Sequence, residues 1–425
     1  MLQLNTIRQN PGLIKERLGV KNFGEPGIVD RIISLDEDLR RLKTVTETTQ
    51  GEINAASKQI GNLMARGNKE EANKIRESVT ALKESLTVQS ADLAGKENEL
   101  QQLLVQLPNL PHQSVPKGKT AQDNEIAGEG GTIPELSAGA KPHWELIKQY
   151  DLVDFETGAK LAGSGFPLYK GKGAKLQRAL IQYFLDYNTE AGYTEFIPPL
   201  MVNEATAYGT GQLPDKEGQM YHITADGFYL IPTAEVPVTN VYADTIIKEN
   251  DLPVKMTAYT PCFRREAGSF GSDVRGLNRV HQFDKVEIIQ LVHPDKSYDV
   301  LEEMVNHVER LIQFLELPYR ILRLCGGDMS FASALTYDFE VYSAAQQKWL
   351  EVSSVSNFET FQTNRMKIRY RDESGKPKLV HSLNGSSLAL PRIMAALLEN
   401  NQADNGIKLP QVLHRYFGAP EIKAV

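Results

Sequence analysis

The sequence predicts an α+β protein: a mixed, mostly antiparallel sheet with flanking helices, preceded by an antiparallel two-helix coiled-coil arm. Three observations carry that reading. Residues 28–107 hold two apolar heptad seams separated by one short break, and 108–142 are rich in proline and glycine. From 194 to 383, short β-rich runs then succeed one another without a regular βαβ alternation.

The arm comes first. From Ile28 the spacing alternates between three and four through Ile32, Leu35, Leu39, Leu42, Thr46, Thr49, Ile53, Ala56, Ile60 and Leu63. Arg66-Gly67-Asn68 interrupts it, and the rhythm resumes at Ala72 and runs through Val79, Leu86, Leu93 and Leu100 to Leu107. Two seams joined by so short a turn fold back antiparallel, each about 55 Å long at 1.5 Å per residue. Most residues off the seams are polar, so the hairpin stands in solvent and reaches for something. Charge does not say what: between Asp30 and Glu99 there are 11 basic and 13 acidic residues, a balance of 11 minus 13, or −2. A dimerisation coiled coil and an RNA-gripping arm both remain open.

Residues 108–142 read as a linker between an N-terminal domain, 1–107, and a second domain, 143–425. In the second domain a helix is expected over 176–188, strands at 194–202, 227–232, 335–342, 349–355 and 378–383, and a closing helix in Pro-Arg-Ile-Met-Ala-Ala-Leu-Leu-Glu-Asn-Asn. Gly171-Lys172-Gly173 mimics a phosphate loop, but Gly173 and Ala174 come after the lysine where such a loop needs Lys-Ser or Lys-Thr; it is read as a turn.

Composition excludes several classes. At 425 residues, 41% hydrophobic and 24% charged, the chain is globular and long enough for two or three domains. No apolar run approaches the roughly 18 residues of a membrane span, and the N-terminus lacks a signal peptide's core. A soluble, cytoplasmic protein is expected. Cys262 and Cys325 alone cannot make a disulfide scaffold or an all-cysteine zinc site, and no histidine pair has ligand spacing; His143-Trp144-Glu145 stands alone. No zinc is expected. The net charge of −7 means that any nucleic-acid contact is local.

The densest run of reactive side chains extends from Cys262 to Glu287 and reads as strand, Gly-rich loop, strand: Tyr259–Arg264 enters, Ala267–Leu277 turns, Val280–Ile289 returns. Alternation places Arg264 and Glu266 on one side of the first strand, and Phe283, Lys285 and Glu287 or their neighbours Gln282 and Asp284 on one face of the second. Fixed arginines beside carboxylates suit a nucleoside triphosphate, and they equally suit an exposed hairpin decorated with salt bridges.

The order of features decides between these. Gly-Tyr-Thr-Glu-Phe-Ile-Pro-Pro199, then Phe-Arg-Arg-Glu266, then Ser-Leu-Ala-Leu-Pro-Arg392 at a helix start resembles motifs 1, 2 and 3 of the class II aminoacyl-tRNA synthetases. Ile-Pro-Thr233-Ala-Glu235-Val-Pro, the run from Asp273 to Glu287, His-Ser-Leu-Asn384-Gly-Ser386 and the tail Gly-Ile-Lys-Leu-Pro410 resemble the seryl-tRNA synthetase family, bacterial type, over essentially the whole chain.

The resemblance implies two steps. Serine's carboxylate attacks the α-phosphorus of ATP, and the seryl group then passes to the 3′-terminal ribose of tRNA(Ser), with tRNA(Sec) as a further candidate. It implies catalytic roles for Arg264 on the α-phosphate and Arg392 on the outer phosphates. Serine would be held by Thr233, Glu235, Arg264, Glu287, Asn384 and Ser386. ATP would be held by Arg264, Arg265, Glu266, Arg279, Val280, Phe283, Glu351, Val352, Ser353, Ser354 and Arg392, with Mg²⁺ on Glu351 and Ser354. Read without the family, Thr233-Ala-Glu235 would be a helix cap. The family is homodimeric through motif 1, and its helical arm grips tRNA. Arg265, Val355 and Ser387 depart from common family residues and remove no chemical group. An amino-acid activator serving a carrier protein would lack the long arm, and a non-catalytic scaffold would lose Arg264, Glu287 or Arg392.

Overall fold

The computed structural model describes residues 1–267 and 275–423, so the middle of the Gly-rich turn expected at Ala267–Leu277 lies outside the described residues. The chain forms two compact units, one of Leu2–Gly19 with Phe23–Pro108, the other of Met1, Val20–Asn22 and Asn109–Val425.

In the first unit α1 (Ile28–Ala65) and α2 (Lys69–Leu104) pack along each other. At 1.5 Å per residue, 38 residues make α1 about 57 Å long. The seam positions of both helices are buried or half-buried, while Val45 and Val88, off the seams, are exposed. The seam therefore has the predicted period, and burial between the helices is what stabilises them. Thr46 and Thr49 sit in it without orphaned hydroxyls, because each donates back to the carbonyl four residues earlier, Leu42 O at 2.8 Å and Val45 O at 3.0 Å. The turn depends on Gly67, whose φ of +81° is a left-handed conformation that a Cβ would strain. Asp36 is buried and paired with Arg8 at 2.6 Å, from the short helix Leu4–Gln9, and with Arg40 at 3.1 Å.

The second unit is built on an eight-stranded sheet: β1 (Glu125–Gly130), β2 (Thr194–Glu195), β3 (Val254–Phe263), β4 (Gln282–Val292), β5 (Tyr319–Arg323), β6 (Leu335–Ser343), β7 (Lys348–Asn357) and β8 (His381–Ala389). Their spatial order is β1-β5-β6-β7-β8-β4-β3-β2. Every pairing is antiparallel except that of edge strand β2 with β3. Around it lie α3 (His143–Gln149), α4 (Gly171–Glu190), α5 (Glu235–Asn240), α6 (Ser297–Phe314) and α7 (Leu390–Asn400). In α4, Leu176, Ala179, Leu180, Tyr183 and Phe184 recur at helical spacing and join the main core, as do Leu301, Val308 and Ile312 of α6. From Ile393 to Asn400 every residue of α7 is buried, which explains its continuous apolar run.

Five expectations change. The strand expected at 194–202 is two short pieces, Thr194–Glu195 and Met201–Val202, in different sheets. The stretch 108–142, read as a linker, contains β1, which pairs with β5 and is held by backbone bonds rather than by an apolar pattern. Gly171-Lys172-Gly173 is the first turn of α4, not a turn before it. The strand expected at 378–383 is the short Pro377–Leu379 with the longer β8 after it. Finally, β3 ends at Phe263, so Arg264 and Glu266 are not on one side of a strand; Glu266 turns away with φ +47°.

Gly173 owes its identity to packing: a Cβ there would lie 2.0 Å from the Leu152 carbonyl oxygen. Because that neighbour is backbone, Gly173→Ala is expected to destabilise the second unit by about 1–3 kcal/mol. The measurement is a urea titration monitored by tryptophan fluorescence, and an unchanged midpoint would contradict the packing argument.

Candidate active site

One cavity of about 540 Å³ opens over β4, β7 and β8, within the range of small-molecule sites. Strand alternation builds its floor. Phe283, Lys285 and Glu287 of β4 face the cavity, while Val286 and Ile288, on either side of Glu287, enter the core. Register then brings Ser386 of β8 directly opposite Glu287. Asn384, two residues earlier on β8, lines the cavity as well.

Glu287 is the centre of the polar floor. It is 3% exposed and forms an ion pair with Lys285, which is itself buried. Thr233 Oγ1 donates to its Oε1 at 2.8 Å and Ser386 Oγ donates to the same oxygen at 3.3 Å. Thr233 also accepts from the Glu235 backbone N–H at 3.3 Å, so the local turn bond and the site contact coexist. Asn384 Nδ2 is a buried donor with no partner in the cavity wall, and it is available to a ligand.

Glu235, at the start of α5, accepts from Gln362 Nε2 at 2.5 Å. Burial first, and the charge of Glu287 second, push its carboxyl up to about 7. Two neighbouring carboxylates thus differ in character: one is ion-paired with a lysine, the other is hydrogen-bonded to Gln362 and raised by burial.

The opposite part of the cavity is cationic. Arg264, just past β3, places its guanidinium 5.3 Å from the Phe283 ring centroid and donates Nε–H to Pro232 O at 3.4 Å. Arg279 bonds Glu266 at 2.9 Å. Arg392, in the first turn of α7, donates to Asn278 O at 2.9 Å and to Glu351 O at 2.7 Å, with the Glu351 carboxylate 3.8 Å away. Being at a helix N-terminus, that corner favours an anion on dipole grounds too. Val280, Val352, Ser353 and Ser354 complete the wall, and Ser353 Oγ donates to Ser386 O at 2.6 Å.

Arg265 is the sequence-selected residue that does not line this cavity; its backbone N–H bonds Gln219 O at 3.0 Å. The sequence reading missed Lys216, which lies over the Phe331 ring at 3.8 Å, and Asp215, Asn278 and Arg365, all lining residues. Lys216 and Asp215 come from a loop and Arg365 from the short helix Phe361–Met366, none of them with a motif, while Asn278 lies inside the run from Asp273 to Glu287 that carries the resemblance. Lys285 was findable, since it sits two residues before Glu287 on the same face of one strand.

Comparison with known proteins fits this geometry. Residues 221–401 match the tRNA synthetase class II core domain (G, H, P, S and T), which makes the second unit the core of a class II aminoacyl-tRNA synthetase. Residues 1–111 match the seryl-tRNA synthetase N-terminal domain. A serine–tRNA ligase of Salinibacter ruber is 52% identical over the full length of both chains, and one of Neisseria meningitidis is 46% identical over 98% of each. The crystal structure of seryl-tRNA synthetase from Pyrococcus horikoshii complexed with ATP is 32% identical, with a TM-score of 0.93 over 100% of both chains. The chain belongs to the seryl-tRNA synthetase family. Its activity is that of an ATP-dependent ligase joining serine to tRNA.

The electrostatics of the pair can be checked directly. Glu287→Gln removes the like charge beside Glu235 while leaving its burial in place, so the Glu235 carboxyl should titrate below 7 in that variant. Carboxyl carbon NMR of the ligand-free protein reads this shift. An unmoved midpoint would show that Glu287 does not set it.

Proposed function

We propose that this single cavity carries out both steps of seryl-tRNA formation, with Glu287 as the residue that selects serine. The observation that carries the proposal is the buried Glu287 with Lys285, Thr233 and Ser386 on one side of the same cavity as Arg264 and Arg392. In the first step serine's carboxylate is already an anion, so the protein's task is positioning and charge neutralisation. Arg264 neutralises charge developing at the α-phosphorus as pyrophosphate leaves, while Arg279 and Arg392 hold the outer phosphates. Phe283 stacks on adenine, and Glu266, now bonded to Arg279, accepts from the adenine amino group. The terminal ribose hydroxyl of tRNA then takes the seryl group.

Serine's hydroxyl meets Glu287 and Ser386, and its ammonium meets Thr233 and Glu235, with Asn384 Nδ2 supplying a further donor. Alanine leaves these buried groups unpaired, and this is a strong basis for rejection. Glu351 and Ser354 offer oxygen donors only, and among the described residues no cluster of three or more His, Cys, Asp or Glu could by itself hold a metal. The oxygen donors fit Mg²⁺, a hard cation that keeps few protein ligands and relies on substrate phosphates. When bound there it would neutralise charge on the triphosphate. Asp338, opposite Ser354 across the β6–β7 pairing, is pushed well above the usual carboxylate range by burial and then by Glu351.

A homodimer through 192–203 is supported by the edge position of β2 and by the exposure of Ile197 at 90% and Met201 at 51%. Among the described residues no helix is long and apolar enough to cross a membrane.

Amino-acid-dependent ATP–pyrophosphate exchange with all twenty amino acids tests the site. Serine alone should support rapid exchange without tRNA, and Glu287→Ala should raise the KM for serine far more than that for ATP. Comparable exchange with alanine or threonine would overturn the role given to Glu287 and Ser386. The same assay reads pH. Only ionised Glu235 pairs with an ammonium, so the KM for serine should climb as pH falls below about 7, approaching roughly tenfold per unit.

The arm is tested separately. Replacing residues 30–105 by a short Gly-Ser turn removes both seams together, so neither arm helix is left with an unpaired apolar stripe. The variant should remain dimeric in sedimentation and form seryl-adenylate at near-normal rate, while charging of tRNA(Ser) collapses through lost affinity. Monomers with intact charging would mean that the arm is a dimer zipper.

A further inference from the structure

The motif His143-Trp144-Glu145 has no part in the chemistry derived so far. His143 is completely buried at the first position of α3. Its Nε2 accepts the Leu277 backbone N–H at 2.8 Å. A nitrogen that accepts carries no proton, so the ring proton is on Nδ1 and is donated to Glu399 Oε1 at 2.6 Å. The imidazole is therefore neutral and held in one tautomer from both ends.

Glu399 lies near the C-terminal end of α7 with no exposed side-chain surface. Besides the ring, it accepts the His143 backbone N–H at 2.7 Å, Gln346 Nε2 at 2.8 Å and the Ser343 hydroxyl. Four donors offset the burial of this carboxylate, and they fix it as a rigid anchor for the imidazole. The chain that approaches the ring is shaped to do so: Gly276 has φ +65°, and a Cβ there would lie 2.3 Å from His143 Nε2. Next to this, the Arg275 guanidinium lies 4.6 Å from the centre of the Trp144 ring. Helix α3 therefore grips residues 275–277 at two points.

Immediately beyond Leu277 the chain becomes the wall of the cavity. Asn278 donates from Nδ2 to Gln346 Oε1 at 2.9 Å, and its carbonyl accepts Arg392 Nε–H at 2.9 Å. Gln346 thus bonds both Glu399 and Asn278, and the orientation of Arg392 depends on a carbonyl held by this network.

We propose that His143 is a positioning residue for the nucleotide's outer phosphates. Its neutral imidazole, anchored on Glu399, sets the path of Leu277–Arg279 and, through Asn278 O, the aim of the Arg392 guanidinium. The proposal rests on the reading of Arg279 and Arg392 as phosphate-binding groups, and predicts a defect in ATP use without one in serine recognition.

Serine-dependent pyrophosphate exchange by the full-length protein tests it with His143→Phe, which keeps a ring and removes both nitrogens, and His143→Gln, whose Oε1 can still accept from Leu277. His143→Phe should raise the KM for ATP about tenfold or more, since small misplacements of binding groups have large kinetic cost. The KM for serine should stay within about twofold, and His143→Gln should restore most of the ATP affinity even where its melting temperature stays lowered. A folded His143→Phe protein with wild-type KM for ATP would reduce His143 to a stabilising core residue and overturn the proposal. Should the variants not fold, ¹⁵N NMR of histidine-labelled wild-type protein decides. The proposal requires an unprotonated Nε2 at His143, and a protonated Nε2 overturns it. A wild-type protein inactive with serine would instead overturn the reading of the cavity itself, and this inference with it.

Discussion

A negative charge buried in the middle of a sheet is the constraint on which the rest of the second unit depends. Glu287 lies on β4, flanked by β3 and β8, and is all but buried. Such a charge is tolerable only with a counter-ion and donors close by. Lys285 provides the first by the two-residue period of a strand, and Ser386 and Thr233 provide the second. Each requirement fixes more than one side chain. Ser386 can reach only if β8 pairs with β4 in the observed register, and a slip of one residue would turn Glu287, Lys285 and Phe283 into the apolar core. Ala258, opposite Glu287 on β3, adds no bulk beside it. The stability of the sheet and the polarity of the site are one problem with one solution.

The same constraint separates two carboxylates. Glu287 has a cation beside it, whereas Glu235, near it in the cavity, has Gln362 and is pushed up by burial and by Glu287. A cavity prepared in this way leaves Glu235 without an ion-pair partner among the described residues. In the proposed reading the ammonium of the incoming amino acid is that partner, so substrate binding completes an electrostatic arrangement that the protein leaves unfinished. The hydroxyl-binding side then judges the substrate by hydrogen bonding rather than by volume, which is the more discriminating criterion for so small a side chain.

Much of this was legible because period and motif carry it. The arm's heptads are visible since a two-helix seam has nothing else to bury, and the structure covers the same positions that the spacing marks. Phe283, Lys285 and Glu287 are placed by alternation once β4 is located. What escaped is held by backbone or by distance. Strand β1 is Glu-Ile-Ala-Gly-Glu-Gly, an edge strand whose residues are mostly exposed, so no apolar pattern announced it. Glu266 leaves the alternation because its backbone turns left-handed, which side-chain identity does not reveal. Lys216 and Asp215 reach the cavity from a loop, and Arg365 from the short helix Phe361–Met366, all brought there by the fold. The cavity excludes Arg265, which the resemblance placed on ATP beside Arg264, because past the end of β3 adjacent residues need not share a destination.

Helix α7 shows how such distances are bridged. Its first turn carries Arg392 at the cavity and its last carries Glu399 in the buried network, with Ile393 to Asn400 packed on every side between them. A helix with no exposed residue along that stretch cannot rotate or slide without opening the core, so its two ends are fixed relative to each other to within packing tolerance. Anchoring Glu399 therefore anchors Arg392 from behind, and the Asn278 carbonyl, held through Gln346, fixes it from the side. A guanidinium held from both directions can meet a triphosphate without reorganising, and preorganisation of this kind is what a reaction governed by charge and alignment demands of the protein.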